Sequence, residues 1–392
     1  MPAPSSSPFE SIESKGEHGN KIPRRKQVKL KRSASLVGAV AVSTMLLSAC
    51  GSDANVEAVD SSDAAATCEG KSPLTGEGSS AQQNAMSNFT SVYSSVCPDK
   101  AVEYTTSGSG NGRTQFVAGI VDFAGSDSAI EEEQAAEAAE RCAGNPAWNL
   151  PLVFGPVAVA YNLDGVDDLV LTPAVTADIF TGAITTWNDP AIAELNEGVD
   201  LPDTPVTPVY RADSSGTSDN FQRFLSDAAP DAWTLDHSSD WAGGVGEGAT
   251  GSSGVAQAVA ATPGSVTYVE FGFVEQEGLS AADIDFGNGP VELTNETAGA
   301  AIDAATFSGE GNDLVIDIEA LYASNEADTY PLVLATYEIV CSAGYDADTS
   351  AAVKSFLLSA ANEGQQGLEE AGYVPLPENF KERLETAINA IA

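Results

Sequence analysis

From residue 71 onward, short apolar runs of strand length alternate with stretches whose apolar positions recur at helical spacing. Residues 71–78 read as a short strand, and 81–97 place Met86, Phe89, Val92, Tyr93 and Val96 on one helical face. The pattern then repeats: a strand over 101–105, a Ser/Gly loop over 107–112, a helix over 113–119, a strand over 121–125 and an Ala/Glu-rich helix over 131–141. This alternation predicts an α/β sheet with helices on both faces. Residues 150–163 are almost wholly apolar, as a fully buried strand requires, and can carry the chain from one lobe to another. Beyond them Thr172 and Pro173 form an N-cap and N1 pair for a helix through Phe180. Strands over 206–210 and 265–273 flank a helix over 218–225 that turns Phe221, Phe224 and Leu225 inward. Residues 330–341 form a second apolar crossing, followed by helices over 350–361 and 380–391, the latter with Phe380, Leu384, Ala387, Ile388 and Ile391 on one stripe. Two crossings predict two lobes, the first discontinuous: 68–155 with 335–392, and 156–334.

The region before this pattern is of another kind. Basic residues gather at Lys21, Arg24, Arg25, Lys26, Lys29, Lys31 and Arg32, and an uncharged run over 34–49 follows that is short for a membrane span. A basic segment, a short apolar segment and small residues before a cysteine make a secretory signal peptide. Leu47-Ser48-Ala49-Cys50 resembles the lipobox of bacterial lipoproteins, so 1–49 is expected to be removed and Cys50 to carry the lipid that anchors the protein to the membrane. The Arg24-Arg25 pair leaves twin-arginine export open beside the general route. Residues 50–67 read as a polar tether.

Charge removes several function classes. The chain has 392 residues with 57 Asp or Glu against 17 Lys or Arg, and a net charge of −40. The first 49 residues hold eight of the cations and three of the acids, so the remainder keeps nine cations against 54 acids, a net −45. Such a surface repels nucleic acid, which needs cations to replace phosphate counterions. With only two histidines, His18 and His237, most His-dependent metal sites and triads are excluded, and the pattern calls for no metal and no cofactor. The hydrophobic content of 43% nevertheless suits a folded globule, expected to be a monomer.

Four cysteines follow Cys50: Cys68, Cys97, Cys142 and Cys341. An even number in an exported chain favours two disulfides with three possible connectivities, and the spacing matches no zinc motif. Cys97 and Cys142 both end helices of the same region, which favours pairing them with each other and Cys68 with Cys341.

Three Ser/Gly-rich turns each lie between a strand and a helix, at 76–81, 107–112 and 213–217. Free backbone N–H groups at a helix N-terminus favour an anion, glycine permits close approach, and Ser or Thr adds a hydroxyl donor. One such turn is an ordinary capped loop; three converging on a cleft would enclose an oxyanion. Arg211, next to the third turn, can add a bidentate guanidinium, although a surface ion pair is the plainer reading of that residue alone.

Five ordered motifs carry a resemblance: Leu74-Thr75-Gly76-Glu77-Gly78-Ser79-Ser80, Ser107-Gly108-Ser109-Gly110-Asn111-Gly112, Val121-Asp122-Phe123-Ala124-Gly125-Ser126-Asp127, residues 182–190 around Trp187 and Asn188, and Arg211-Ala212-Asp213-Ser214-Ser215-Gly216-Thr217. Together with the lipobox they resemble the phosphate-binding proteins of the Pst ABC importer, from about Cys68 to the C-terminus. The resemblance implies a type II periplasmic-binding-protein fold whose two α/β lobes close on inorganic phosphate and deliver it to membrane permease subunits. Carried over by position, it implies ligand contacts from the Ser80 hydroxyl, the Ala81 amide, Ser109 and Asp127 in one lobe, and from Arg211, Ser215, the Gly216 amide and Thr217 in the other. Ser80 stands where the family often has Thr and Ala81 where it can have Phe, which alters the packing of that wall. Trp187 and Asn188 match a motif without matching a ligand, and read as lobe structure.

Other functions leave other signatures. A phosphoester hydrolase using Ser109 or Ser215 needs a base, yet no Gly-x-Ser-x-Gly elbow is present and His237 lies in a polar, surface-like stretch. A receptor for sulfate, arsenate, molybdate or another oxyanion would use similar turns, and one for a fully ionised anion could dispense with a carboxylate such as Asp127. A surface adhesin would show repeats or exposed aromatic stripes, and the sequence has neither.

Overall fold

The computed structural model describes residues 66–324 and 326–392, so the expected leader, the lipidation site Cys50 and nearly all of the expected tether lie outside the described residues. In chain order the elements are β1 (Leu74–Gly78), α1 (Gln83–Val96), β2 (Val102–Thr106), α2 (Ser109–Val117), β3 (Phe123–Ser126), α3 (Glu132–Arg141) and β4 (Ala147–Tyr161). Then come β5 (Val170–Leu171), α4 (Pro173–Thr181), α5 (Pro190–Ala193), β6 (Thr207–Arg211), α6 (Gly216–Ala228), β7 (Glu247–Ala249), α7 (Gly251–Ala261), β8 (Ser265–Glu270) and α8 (Phe271–Glu277). The chain finishes with β9 (Ser280–Ala281), β10 (Asp283–Asp285), β11 (Pro290–Val291), α9 (Asn295–Ala304), α10 (Ile318–Tyr322), β12 (Val333–Cys341), α11 (Ala347–Ala361) and α12 (Glu378–Ala390).

The main sheet runs β2-β1-β3-β12-β4-β8-β6-β7, with β9 also on β4, and β11-β10-β5 form a small second sheet. β1 is parallel to β2 and β3, and β6 is parallel to β7 and β8. Two parallel halves are thus joined by the antiparallel pair β4 and β12, which match Ala147 with Cys341 at one end and Pro156 with Val333 at the other. β4 then changes partner: from Val157 onward it pairs with β8. Its residues from Asn149 on are all buried, as are all nine of β12, so both are flanked on both faces and read as largely apolar runs, interrupted in β12 by Thr336 and Glu338.

The buried apolar side chains form two clusters, and the larger one continues from the second half into Phe116, Ala124 and Ala138 of the first. Met86, Phe89, Leu152, Phe356 and Leu384 belong to one, and Val159, Phe180, Trp187, Phe221 and Tyr268 to the other. Burying one such Phe side chain contributes about 1.5–3 kcal/mol. Trp187 is wholly buried and donates its indole N–H to the Gly264 carbonyl at 2.9 Å, as expected of a structural residue. The Thr172 hydroxyl caps α4 by accepting the Val175 N–H.

Two expected elements are corrected. The helix placed over 113–119 begins at Ser109, inside the supposed loop. A Cβ at Gly112 would stand 2.6 Å from the Glu77 carbonyl oxygen, so the glycines that argue against helix are needed where α2 presses on the end of β1. The strand placed over 265–273 stops at Glu270, and α8 starts at Phe271; a Cβ at Gly272 would meet the Ala371 carbonyl oxygen at 2.1 Å, so a backbone contact occupies that place.

The disulfides also differ from the expected pairing: Cys68 joins Cys97 and Cys142 joins Cys341, with Cα separations of 5.4 and 5.3 Å. Cys68 is held beside the end of α1 through its N–H bond to Ser355 of α11. The register of β12 on β4 sets Cys341 opposite Ala147, just past Cys142 at the end of α3. Sheet order therefore pairs distant cysteines across β12.

Candidate functional site

The ends of β1 and β3, the middle of β12 and the start of α2 meet around one carboxylate. Asp127 follows β3 and is 4% exposed. Its Oδ1 accepts the hydroxyls of Ser79 and Thr336, both at 2.7 Å, and its Oδ2 accepts the Ser109 hydroxyl at 2.9 Å. Ser109 in turn accepts the Asp127 N–H at 3.1 Å, and Ser79 accepts the Ala81 N–H at 3.0 Å. Burial holds the Asp127 carboxyl above its ordinary range, opposed by these three hydroxyls and by the Arg211 charge. A carboxylate oxygen has room for two donors, so Oδ2 retains acceptor capacity.

The other half contributes the ends of β6 and β8 and the starts of α6 and α7. Arg211, 2% exposed, ends β6 and grips Asp213 through Nε–Oδ1 at 2.8 Å and Nη2–Oδ2 at 2.5 Å. Its Nη1 reaches the hydroxyls of Ser252 at 3.1 Å and Thr217 at 3.3 Å. Burial works against the guanidinium charge, but the bonded Asp213 and nearby Glu270 outweigh it and raise its pKa. Burial likewise works against the Asp213 charge, and Arg211 overcomes it and holds that carboxyl below its ordinary value. Ser215 caps α6 by accepting the Ser218 N–H, leaving the Gly216 and Thr217 amides at an open helix N-terminus.

The halves meet at these turns. The Gly110 N–H donates to the Ser214 carbonyl at 3.1 Å, the Ser252 N–H to the Ser80 hydroxyl at 3.0 Å, and Asn220 Nδ2 to the Asp127 carbonyl at 2.6 Å. A Cβ at Gly216 would lie 2.5 Å from Ser109 Oγ and 2.8 Å from Asp127 Oδ2, so only glycine lets the N-terminus of α6 approach that of α2 this closely.

Ser80, Ala81, Ser109, Asp127, Arg211, Ser215, Gly216 and Thr217 are thus gathered at one place from turns widely separated in the chain. Ser79, Thr336, Asp213, Ser252 and Glu270 belong to the same cluster, and sequence reasoning gave none of them a role there. Thr250-Gly251-Ser252-Ser253-Gly254 is a fourth Ser/Gly turn at a helix start, so its signal is of the kind already used. Thr336 and Glu270 are polar positions in buried strands that also hold Glu338, Ser265 and Thr267, a weaker signal. His237 is exposed and turns Nδ1 to Asp219 Oδ1 at 2.7 Å, a contact that involves neither Ser109 nor Ser215. Trp233, close to it in sequence, is buried in the core. Among the described residues no group of three or more His, Cys, Asp or Glu is arranged to hold a metal ion.

Helix N-termini that meet from two α/β halves define a class of binding protein, and the profile of the PBP superfamily domain matches residues 54–361. The chain is 46% identical over 371 residues to the phosphate-binding protein PstS 3 of Mycobacterium tuberculosis (strain ATCC 25618 / H37Rv), covering 93% of this chain and 100% of that one. It is 44% identical over 371 residues to PstS 2 of the same strain, with the same coverage. Among solved structures it is similar in fold to PfluDING, a high-affinity periplasmic phosphate-binding protein determined with phosphate, at a TM-score of 0.65 and 23% identity over 80% of this chain and 93% of that one. The chain belongs to the PstS family of phosphate-binding proteins, with the type II periplasmic-binding fold. Its relatives are binding proteins and not enzymes.

Proposed function

We propose that this protein binds inorganic phosphate between two closing lobes and delivers it to the permease subunits of an ABC importer from the extracytoplasmic face of the membrane, tethered there by lipid on Cys50. Family membership supports the ligand and the transport role. The observation that carries the reading at the level of this chain is the meeting of Ser109, at the start of α2, with Gly216, at the start of α6, beside Asp127. Helix N-termini from both halves, the remaining edge of Arg211 and the Ser80 and Ser215 hydroxyls supply donors for an oxyanion, while the Ser109 and Thr217 hydroxyls at the same place donate to Asp127 and Glu270. Asp127 Oδ2 supplies the one acceptor such a ligand needs if it keeps a proton, as phosphate does and sulfate does not.

The lobes are taken as 68–155 with 335–392, and 156–334, hinged where β4 exchanges β12 for β8. Among the described residues no helix is long and apolar enough to cross a membrane, and the anchor is assigned to Cys50 on its lipobox alone. The protein acts as a monomer in this reading.

Calorimetry with phosphate, sulfate and arsenate tests it. Phosphate and arsenate, which both keep an O–H near neutrality, should bind, and sulfate should not. Equal binding of sulfate, or no binding of phosphate, overturns the reading. Small-angle scattering should show a smaller radius of gyration with phosphate; no compaction at saturation removes the closing lobes.

A further inference from the structure

Thr217 has one hydroxyl hydrogen and, in this site, two claims on it. Its Oγ1 lies 2.7 Å from Glu270 Oε1 and 3.3 Å from Arg211 Nη1. A guanidinium only donates, so Arg211 occupies one lone pair of Thr217. An ionised Glu270 only accepts, and then the Thr217 hydrogen must point at Oε1, leaving no hydrogen for an anion. A protonated Glu270 reverses the bond: it donates along the same 2.7 Å, Thr217 accepts twice, and its hydrogen is free for the ligand.

The setting of Glu270 favours the second arrangement once an anion enters. Glu270 is wholly buried at the end of β8, and its Oε2 makes no hydrogen bond of good geometry, although the Ser252 hydroxyl is close enough to favour the charged form. The charged and titratable groups facing it are Arg211 on β6, Asp127 beyond β3 and Tyr373 in the segment before α12. α7 and α6 bring the hydroxyls of Ser252 and Thr217 to it, and β4 brings Gly155 and Val157. The Arg211 charge is already matched by Asp213. A phosphate brought into this cleft would therefore add negative charge beside a carboxylate that no second cation compensates. Burial already raises the Glu270 carboxyl.

We propose that Glu270 is a positioning residue that carries a proton in the phosphate complex, turning the Thr217 hydroxyl toward the anion, so that dibasic phosphate binds together with one proton from solvent. The balance is simple: the proton adds to the Glu270 carboxylate, the carboxyl O–H donates to Thr217, and the phosphate keeps its own O–H for Asp127. This inference rests on the phosphate-binding reading.

The test is calorimetry of the wild-type protein with phosphate in buffers of different ionisation enthalpy, on the alkaline side of neutrality where free phosphate is dibasic. Uptake of about one proton per phosphate is expected, with affinity falling about tenfold per pH unit. Glu270→Gln, whose amide N–H donates to Thr217 without a proton from solvent, should abolish the uptake and flatten the pH profile, and Glu270→Ala, which has no proton to take up, should abolish the uptake as well. Phosphate binding by the wild type without proton exchange, or uptake retained in Glu270→Gln, overturns the proposal. The wild-type measurement decides by itself should the Gln variant fail to fold. No phosphate binding by the wild type sinks the functional reading instead, a result distinct from binding without proton exchange.

Discussion

Arg211 turns Nε and Nη2 onto the two carboxylate oxygens of Asp213 and leaves Nη1 facing Thr217 and Ser252. A bidentate fork of this kind fixes the plane of a guanidinium, so the edge left over is aimed before any ligand arrives.

Arg211→Ala should weaken phosphate binding by roughly 2 to 5 kcal/mol, the range for truncating one partner of a buried hydrogen-bonded charge pair. Arg211→Lys should not restore it, because an ammonium cannot hold both oxygens of Asp213 and reach the ligand. Dissociation constants from calorimetry check this, and an unchanged value for Arg211→Ala removes that residue from the site.

Asp127 is the expected basis of selectivity. As a carboxylate already accepting three hydroxyls, it can take one more hydrogen from phosphate and has none to offer sulfate. Asp127→Asn keeps an acceptor oxygen and adds an N–H, so phosphate affinity should change little while sulfate gains entry. Sulfate excluded equally from the variant would assign selectivity elsewhere.

Glu338, on β12, is wholly buried, and neither of its carboxyl oxygens makes a hydrogen bond of good geometry, although Gln82 is close enough to favour the charged form. Burial pushes its pKa from the ordinary 4.5 up to about 8, with Asp127 adding to the rise and Gln82 opposing it. The folded state thus holds a proton that the unfolded chain has released. Its contribution is fully present below the unfolded value and is lost as pH rises through about 8. Glu338→Gln should be stabilised relative to wild type increasingly across that window, by up to about 1.4 kcal/mol per pH unit. Urea denaturation at several pH values reads the difference, and a gap independent of pH contradicts the assignment.

The two disulfides close loops of very different length, 29 and 199 residues. Loop-closure entropy assigns them about 4 and about 5 kcal/mol respectively. Replacing Cys142 and Cys341 together by Ser should lower the denaturation midpoint more than replacing Cys68 and Cys97 together. The reverse order would mean that residual denatured structure governs.

Cys50→Ala should release the protein from membranes, since acyl chains there supply the only anchor assigned. Fractionation of the variant decides; a protein that stays fully membrane-associated has another attachment.

Much of the path to the site was legible because local physics speaks there. A turn such as Asp213-Ser214-Ser215-Gly216-Thr217 declares a capped helix start whatever surrounds it, and the Ser215 cap and the Arg211 strand end follow from residues a few positions apart. The same rule failed at α2, where Ser109-Gly110-Asn111-Gly112 reads as loop until β1 is packed against it. Thr336 could not be assigned at all: it meets Asp127 across 209 positions, and a threonine in an apolar strand says nothing of which strand will lie beside it.

The sequence by itself determined the alternation of strands and helices, the two apolar crossings, the anionic character and the turns able to hold an oxyanion, all consequences of side-chain period, backbone freedom and charge within short stretches. Tertiary structure alone decided which cysteines pair, that Gly216 sits against Ser109, and that Glu270 faces Thr217. Those are set by the order of strands in the sheet and the register of β12 on β4, which depend on how the whole core closes and on no local segment of it.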